Sequence, residues 1–462
     1  MTAKQIRSKT VTACLPLGLL GASCVILLAS AGGLAAQDEG GLNVIFDVTQ
    51  SFEGRDDEGY VETDGTSFRS LTTLAFGLSS ETRSQRLAFD LSSGVAATAG
   101  DDRDVGFENT LATLDYMQSS RNTALTFGAR YRFDEVDDLV FDGTLADDDI
   151  ITGVGQREVL TLNTGLAFGR EARVTGTLNH TYETSSFFDT LDPTLSDTET
   201  QELDARLDFE LTRTLTAGVF ALWREDDEQG LGATDREFNA IGTSASYAIN
   251  PVTTLTGEIS FSEEKSRGAT FLETDGWNYG LSLIRERAGS DASLRFSQED
   301  ALTGTRRLLS AGQSLTLQRG ALEYSLGITN TEGFDPQLLA NLSFEYETAR
   351  NSAASITLSQ DGTINGDDEE VVNSRLNVTY AHNLTRVSQI DASFDLVDEN
   401  VLGASAADQR AIQFNLTYNY DLAQDWQLTS GYEHSLIRRD GDPDRSRSTV
   451  FVGLQKSFAE RL

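Results

Sequence analysis

The sequence is poor in the residues that build disulfides, metal sites and catalytic pairs. Its 462 residues include 2 cysteines, 3 histidines and 5 prolines. Both cysteines, Cys14 and Cys24, fall in an apolar N-terminal stretch. If that stretch is removed, no thiol remains, and disulfide scaffolds, cysteine-based zinc sites and cysteine nucleophiles are excluded together. We therefore expect no metal site and no cofactor.

Positive charge is also scarce. Lysine and arginine number 36 against 72 aspartates and glutamates, which gives a formal net charge of -36. A face that follows nucleic-acid phosphates needs clustered positive charge, so nucleic-acid binding is excluded. Beyond residue 36 no apolar run is long enough to cross a bilayer as a helix, which excludes a multi-helix membrane protein.

Residues 1–36 have the features of a cleaved secretory signal peptide. Three positive residues precede an uncharged stretch over residues 11–36, which ends in small residues before an acidic segment. Signal peptidase recognises this pattern. We predict cleavage after Ala36 and a mature chain, residues 37–462, that forms one domain. An uncleaved anchor helix and a lipidated Cys24 are the alternatives.

The mature chain alternates apolar and polar residues with a period of two. Residues 203–211 are an example, with Leu203, Ala205, Leu207, Phe209 and Leu211 alternating with Asp204, Arg206, Asp208 and Glu210. There are about 22 such runs, each roughly as long as a tilted strand that crosses a bilayer. The connections alternate between short turns and longer acidic segments predicted as loops, among them residues 53–66, 97–106, 225–236 and 435–445. This pattern predicts an all-β protein, a transmembrane up-and-down antiparallel β-barrel of about 22 strands, with short periplasmic turns and long acidic extracellular loops.

A soluble sandwich also has alternating strands, so other features decide between the two. The apolar face carries almost no charge, whereas the polar face carries charged residues that a dry core would not tolerate. In lipid, only helices and closed barrels satisfy their backbone hydrogen bonds. A β-solenoid or propeller and a periplasmic sandwich are the weaker alternatives.

Aromatic residues on the apolar face mark both strand ends, as in interfacial girdles: Tyr116, Phe168, Tyr247, Tyr346, Tyr380 and Tyr420 at one, Phe133, Tyr182, Trp223, Phe261 and Tyr432 at the other.

The last run, residues 450–458, alternates hydrophobic residues and ends in Phe458. With this architecture, the chain resembles the β-barrel porins of Gram-negative outer membranes over residues 42–458. The resemblance implies a place in the cell outer membrane, contact with its lipid and lipopolysaccharide, and recognition of Phe458 by the barrel-assembly machinery. That signal usually ends the chain, whereas residues 459–462 follow it here.

The polar face of each strand supplies candidates for the lining of the barrel lumen. The acidic candidates are Asp47, Asp90, Asp115, Asp204, Asp208, Glu210, Glu258, Glu323, Glu345, Asp391, Asp395 and Glu433. The basic candidates are Arg86, Arg130, Arg132, Arg173, Arg206, Arg224, Arg295 and Arg375. Because acidic residues dominate the lining and the loops, we expect the mouth to concentrate cations at low salt.

The longest predicted loop, residues 134–157, contains apolar residues that are unusual in a solvated loop. We predict that it folds inward as a constriction, with these candidates: Leu139, Val140, Phe141, Asp147, Asp148 and Asp149. A surface loop with an apolar cluster of its own is an equally good interpretation.

Nothing in the sequence predicts an enzyme. The histidines His180, His382 and His434 lie on the lipid-facing side by parity, with no serine or aspartate nucleophile pattern beside them. Large barrels often hold a plug, but the first predicted strand starts at Leu42, so TonB-dependent transport is not expected.

The leading hypothesis is a porin-like channel for passive diffusion of small hydrophilic solutes, with modest cation preference. An export barrel for an extracellular polysaccharide and a structural or adhesive surface barrel are the alternatives. The oligomeric state stays open.

Overall fold

The structure is a computed structural model, and it describes most of the chain after residue 40. The described ranges are 41–59, 65–99, 105–136, 155–190, 195–230, 233–268, 271–302, 304–364, 370–402, 408–423, 425–439 and 443–461. The predicted signal peptide, residues 1–36, lies outside them, so its cleavage stays a prediction.

The described chain folds into 22 strands. In chain order they are β1 (Leu42–Glu58), β2 (Gly65–Glu81), β3 (Gln85–Ala99), β4 (Val105–Ser119), β5 (Thr123–Glu135), β6 (Gln156–Phe168), β7 (Val174–Phe188), β8 (Asp197–Glu210), β9 (Leu215–Gln229), β10 (Asp235–Asn250), β11 (Thr253–Arg267), β12 (Phe271–Arg287), β13 (Ser290–Ala301), β14 (Gly304–Leu317), β15 (Gly320–Thr331), β16 (Gln337–Ala349), β17 (Ser352–Ile364), β18 (Glu370–Asn383), β19 (Ser388–Val401), β20 (Gln409–Ala423), β21 (Trp426–Arg439) and β22 (Arg445–Arg461).

Each strand pairs antiparallel with the next, and β1 also pairs antiparallel with β22. The sheet therefore closes into a barrel without a free edge, as predicted. At the closing seam Phe46 stands opposite Phe458, and Asp57 stands opposite Arg447. Among the described residues no helix is long and apolar enough to cross a membrane.

The two ends of the barrel differ in their connections. At one end, short turns lead from each even-numbered strand to the next odd-numbered strand, for example residues 82–84 and 120–122. We name this end the short-turn rim. The turn after β6 needs a glycine: Gly169 has a φ of +71°, and a Cβ there would collide with the Val174 carbonyl. At the opposite end, the mouth rim, the longest connection joins β5 to β6.

The mouth-rim connections are shorter than predicted because the strands continue past the membrane. β1 runs to Glu58 and β9 to Gln229, so acidic residues assigned to loops, such as Asp57 and Asp226, lie on strands instead. Backbone pairing remains favourable in water once the hairpin is in register, so composition does not mark the strand ends.

The outward face forms an apolar belt. On β9 it extends from Leu215 to Trp223, and Glu225 follows at the next outward position. Aromatic pairs lie across neighbouring strands on this face, with ring centroids 6.2 Å apart for Phe46 and Phe458 and 5.6 Å apart for Phe261 and Trp277. The predicted girdle residues all share this face in the observed register.

The other face is the concave one. Most of the described buried polar residues lie there, among them Ser244, Ser260, Ser262 and Ser266. Small hydroxyl side chains pack closely where the wall curves inward, while the apolar side chains of the same strands point out. The charged candidates share this inward face, apart from Arg173, which precedes β7.

Candidate channel lining

The observed register can be compared with the predicted lumen-lining residues one by one. All the acidic candidates and all the basic candidates but one lie on inward-facing strand positions. The exception is Arg173, which lies in the turn before β7 because that strand begins at Val174. Assigning a face from the alternation of residues fails there, because a residue in a turn does not belong to either face of a strand.

Three inward arginines pair with a carboxylate two residues further along the same strand. Arg206 Nε lies 3.0 Å from Asp208 Oδ2, and Arg224 Nε lies 2.8 Å from Asp226 Oδ2. Arg132 makes the same pairing with Asp134. Residues i and i+2 of a strand share a face, so the Arg-x-Asp spacing builds each pair locally. These pairs neutralise three of the inward arginines locally.

One of these pairs extends across three strands. Arg206 Nη2 donates a hydrogen bond to Ser244 Oγ on β10 at 2.9 Å, spanning β9. Gly218 lies between them, and a Cβ at that position would collide with the Asp208 carboxylate and the Ser244 hydroxyl. The glycine therefore leaves room for the charged side chains to lie flat on the wall.

Several inward carboxylates have no cationic partner among the described residues. Asp90 and Asp115 lie on neighbouring strands near the short-turn half, and their side chains make no ion pair there. Glu433 accepts a hydrogen bond from Gln413 Nε2 at 2.7 Å, and Asp391 accepts one from Asn419 Nδ2 at 3.0 Å. Amide donors satisfy these oxygens without cancelling their charge, so the lining keeps an excess of negative charge.

The mouth half of the lining contains buried charges that were not predicted. Arg69 bonds Glu108, and its Nε lies 3.8 Å from Glu53 Oε2. Across the closing seam Arg447 Nε donates to Asp57 Oδ1 at 2.8 Å, with both side chains buried. Most of these residues fall in or beside segments predicted as loops. No sequence signal separates them from loop residues, because Asp56 and Glu58 on the opposite face of the same strand are charged as well.

The constriction candidates lie outside the described residues, which stop at Val136 and resume at Gly155. Their inward folding therefore stays a prediction.

The outward face above the belt is acidic. Glu225 of β9 stands directly opposite Glu237 of β10, and Glu199 of β8 stands opposite Asp227 of β9. Lys265 Nζ lies 2.9 Å from Glu263 Oε1. The hydrogen bond to Glu263 raises the pKa of Lys265 above its ordinary value. Cross-strand carboxylates repel each other, so this collar faces water and not lipid.

The sequence contains no serine or aspartate nucleophile pattern beside the histidines, but strand pairing brings a serine to two of them. Ser352 Oγ lies 2.6 Å from His382 Nδ1, and Ser448 Oγ lies 3.0 Å from His434 Nδ1. Strand pairing brings together serines and histidines that are remote in sequence. Both pairs are on the outward face, and no carboxylate orients either imidazole among the described residues, as a catalytic triad would need.

No protein-family model matches the chain, and no curated protein matches it. Solved structures do match. The ferric-catecholate import receptor Fiu from E. coli aligns with 91% of this chain and 82% of its own, at 8% identity and a TM-score of 0.55. The FrpB iron transporter from Neisseria meningitidis aligns with 93% and 82%, at 11% identity and a TM-score of 0.53.

A third match is the ferric enterobactin receptor PfeA from Pseudomonas aeruginosa, which aligns with 89% of this chain and 81% of its own, at 11% identity and a TM-score of 0.53. At such identities the likeness establishes the fold alone. With the closed barrel and its apolar belt, it defines the class of protein: an outer-membrane β-barrel. The protein lies in the cell outer membrane, in contact with its lipid, as predicted.

Proposed function

We propose that the protein is an outer-membrane transport barrel that lets small hydrophilic solutes through its lumen and favours cations. The observation that carries the proposal is the excess of carboxylates on the inward lining, where twelve acidic and seven basic candidates lie and where Asp90 and Asp115 have no cationic partner among the described residues. A water-filled lumen with excess negative charge concentrates cations and repels anions, and the preference weakens as salt rises.

A second candidate is the specific uptake of a cationic or metal-bearing solute. The fold neighbours favour it, because their names describe import receptors and transporters of iron compounds. In that case the lumen would pass only the bound solute and would carry no steady current. The same measurement therefore separates the two candidates.

The test is single-channel recording of the refolded protein in a planar bilayer under a salt gradient. A steady conductance with a reversal potential on the cation side supports the passive channel. A folded, heat-modifiable barrel without steady current would contradict it and leave specific uptake, export or surface binding.

A matched pair of variants assigns the selectivity to the lining. Asp90→Asn with Asp115→Asn removes two inward charges, and we expect the cation-to-anion permeability ratio to fall about two-fold. Glu225→Gln with Asp227→Asn removes two outward charges above the belt and is expected to change the ratio far less, because the barrel wall lies between them and the lumen. Equal effects of the two variants would mean that the lining does not set selectivity.

A further inference from the structure

The short-turn rim is basic although the protein is strongly acidic. Every connection of this rim except β10–β11 and β20–β21 carries an arginine in the turn or at its border. In chain order these are Arg83, Arg121, Arg170 with Arg173, Arg213, Arg287, Arg319, Arg350 and Arg386. By the same criterion the mouth rim has four arginines, Arg103, Arg267, Arg439 and Arg445, and no lysine, and acidic residues far outnumber them in its connections. The two ends of the barrel therefore carry opposite charge.

The rim arginines are available to a ligand. All of them are exposed. Arg121 pairs with Glu171, yet its side chain is still 84% exposed. The side chains of Arg83, Arg213 and Arg386 make no hydrogen bond or ion pair within the described part of the chain. Turn geometry does not need arginine at these places, since turns are built by glycine, asparagine and similar residues.

A second, independent feature places this rim at a membrane interface. Lys456 points outward next to the rim, and its Nζ lies 5.3 Å from the ring centroids of both Trp426 and Phe458. Tyrosines of the aromatic girdle, such as Tyr247 and Tyr380, lie on the outward face near the short-turn ends of their strands. Aromatic rings with cations among them are typical of the headgroup region of a bilayer.

We propose that the short-turn rim binds the phosphates of anionic phospholipids, as a ring of arginines around the barrel. Guanidinium groups suit this role because they bind phosphate oxygens through two donors at once. The distribution of the arginines favours lipid over a protein partner. They occur turn after turn around almost the whole circumference, whereas a docked protein would contact one arc.

The three tryptophans of the chain make the proposal measurable. Trp426 lies at the short-turn rim and stands opposite Lys456 of β22. Trp223 and Trp277 lie at the other end of the apolar belt, on β9 and β12. Trp223→Phe with Trp277→Phe leaves a probe of the rim, and Trp426→Phe leaves a matched probe of the opposite interface.

The experiment refolds both proteins into phosphatidylcholine vesicles that contain either brominated phosphatidylglycerol or brominated phosphatidylcholine, and it measures quenching of tryptophan fluorescence. For Trp426 we expect the anionic lipid to be preferred about three-fold, with the preference lost in high salt. For Trp223 and Trp277 we expect no preference for the anionic headgroup. Equal quenching of Trp426 by the two lipids would overturn the proposal, and an acidic protein partner would become the better candidate.

Charge removal then tests the cause. Arg386→Gln with Lys456→Gln removes a cation of the β18–β19 turn and the lysine beside Trp426. This change should reduce the three-fold preference to about one, while heat-modifiability shows that the barrel still folds. A preference that survives both this change and high salt would also overturn the proposal. If the double variant does not fold, the salt titration of the protein with its arginines intact decides alone.

Discussion

The outer and inner faces of the barrel wall come from the same strands, yet they obey different chemical rules. On β12, Leu281 faces outward and is 51% exposed, whereas its neighbour Ser282 faces inward. The outer face is apolar from girdle to girdle, while the inner face carries arginines and carboxylates a few ångströms away. The loss in free energy of unfolding that a new charge causes therefore depends on which face of the strand carries it. Two residues next to each other in the sequence can differ widely in this loss.

The largest loss of stability is expected from breaking the buried ion pair that joins β1 and β22 on the inner face. The side chains of Arg447 and Asp57 are only 8% and 2% exposed. Asp57→Ala leaves the arginine buried without its seam partner, and we expect a loss of about 3–5 kcal/mol in the free energy of unfolding. Urea unfolding in lipid vesicles measures this.

The double variant Asp57→Ala with Arg447→Ala sharpens this expectation. Removing both charges leaves no uncompensated ion, so the double variant should be more stable than Asp57→Ala alone. If the double variant is less stable than the single one by the full cost of a second mutation, the two side chains do not act as a pair.

A smaller loss of stability is expected when a charge is introduced into the apolar belt, and the same charge on the inner face provides the comparison. Leu281→Arg puts a charge near the middle of the apolar belt, and we expect a loss of about 2–4 kcal/mol. Ser282→Arg, one residue along, puts the same charge on the inner face and should cost less than about 1 kcal/mol. Urea unfolding of both variants in the same vesicles checks this, and comparable losses would contradict the assignment of the faces.

The smallest effect is expected at an exposed ion pair beyond the belt. Arg438 Nε lies 3.0 Å from Asp444 Oδ2, but the side chains are 54% and 58% exposed. Water screens such a pair, so Arg438→Ala should change the free energy of unfolding by less than about 1 kcal/mol. A loss as large as that of Asp57→Ala would show that burial does not explain the seam pair.

Much of this fold is predictable because apolar residues that face lipid alternate with polar residues that face the lumen along each strand. The Arg206, Asp208 and Glu210 positions of β8 were assigned to one face from alternation alone, and the observed register puts all three on the inward face of the strand. The girdle residues follow from the same parity. Alternation is a local property that survives without knowledge of any partner strand.

Other features were out of reach of the sequence. Asp57 and Asp226 were assigned to loops, because an acidic stretch looks the same whether it continues a hairpin in water or leaves the sheet. Arg173 was given a strand face although the strand starts one residue later. The arginines of the short-turn rim were visible one by one, but a ring exists only once the turns are known to share one end.

The sequence by itself determined the strands, the face that meets lipid and the surplus of carboxylates, since these depend on composition and on neighbours two residues apart. Only the tertiary structure decided which charges meet. Arg447 and Asp57 are 390 residues apart, and they pair because closure sets β1 against β22 in one register. Ser352 meets His382 in the same way, through the pairing of β17 with β18. Such contacts depend on registers that backbone hydrogen bonds fix between strands, and no single strand contains that information.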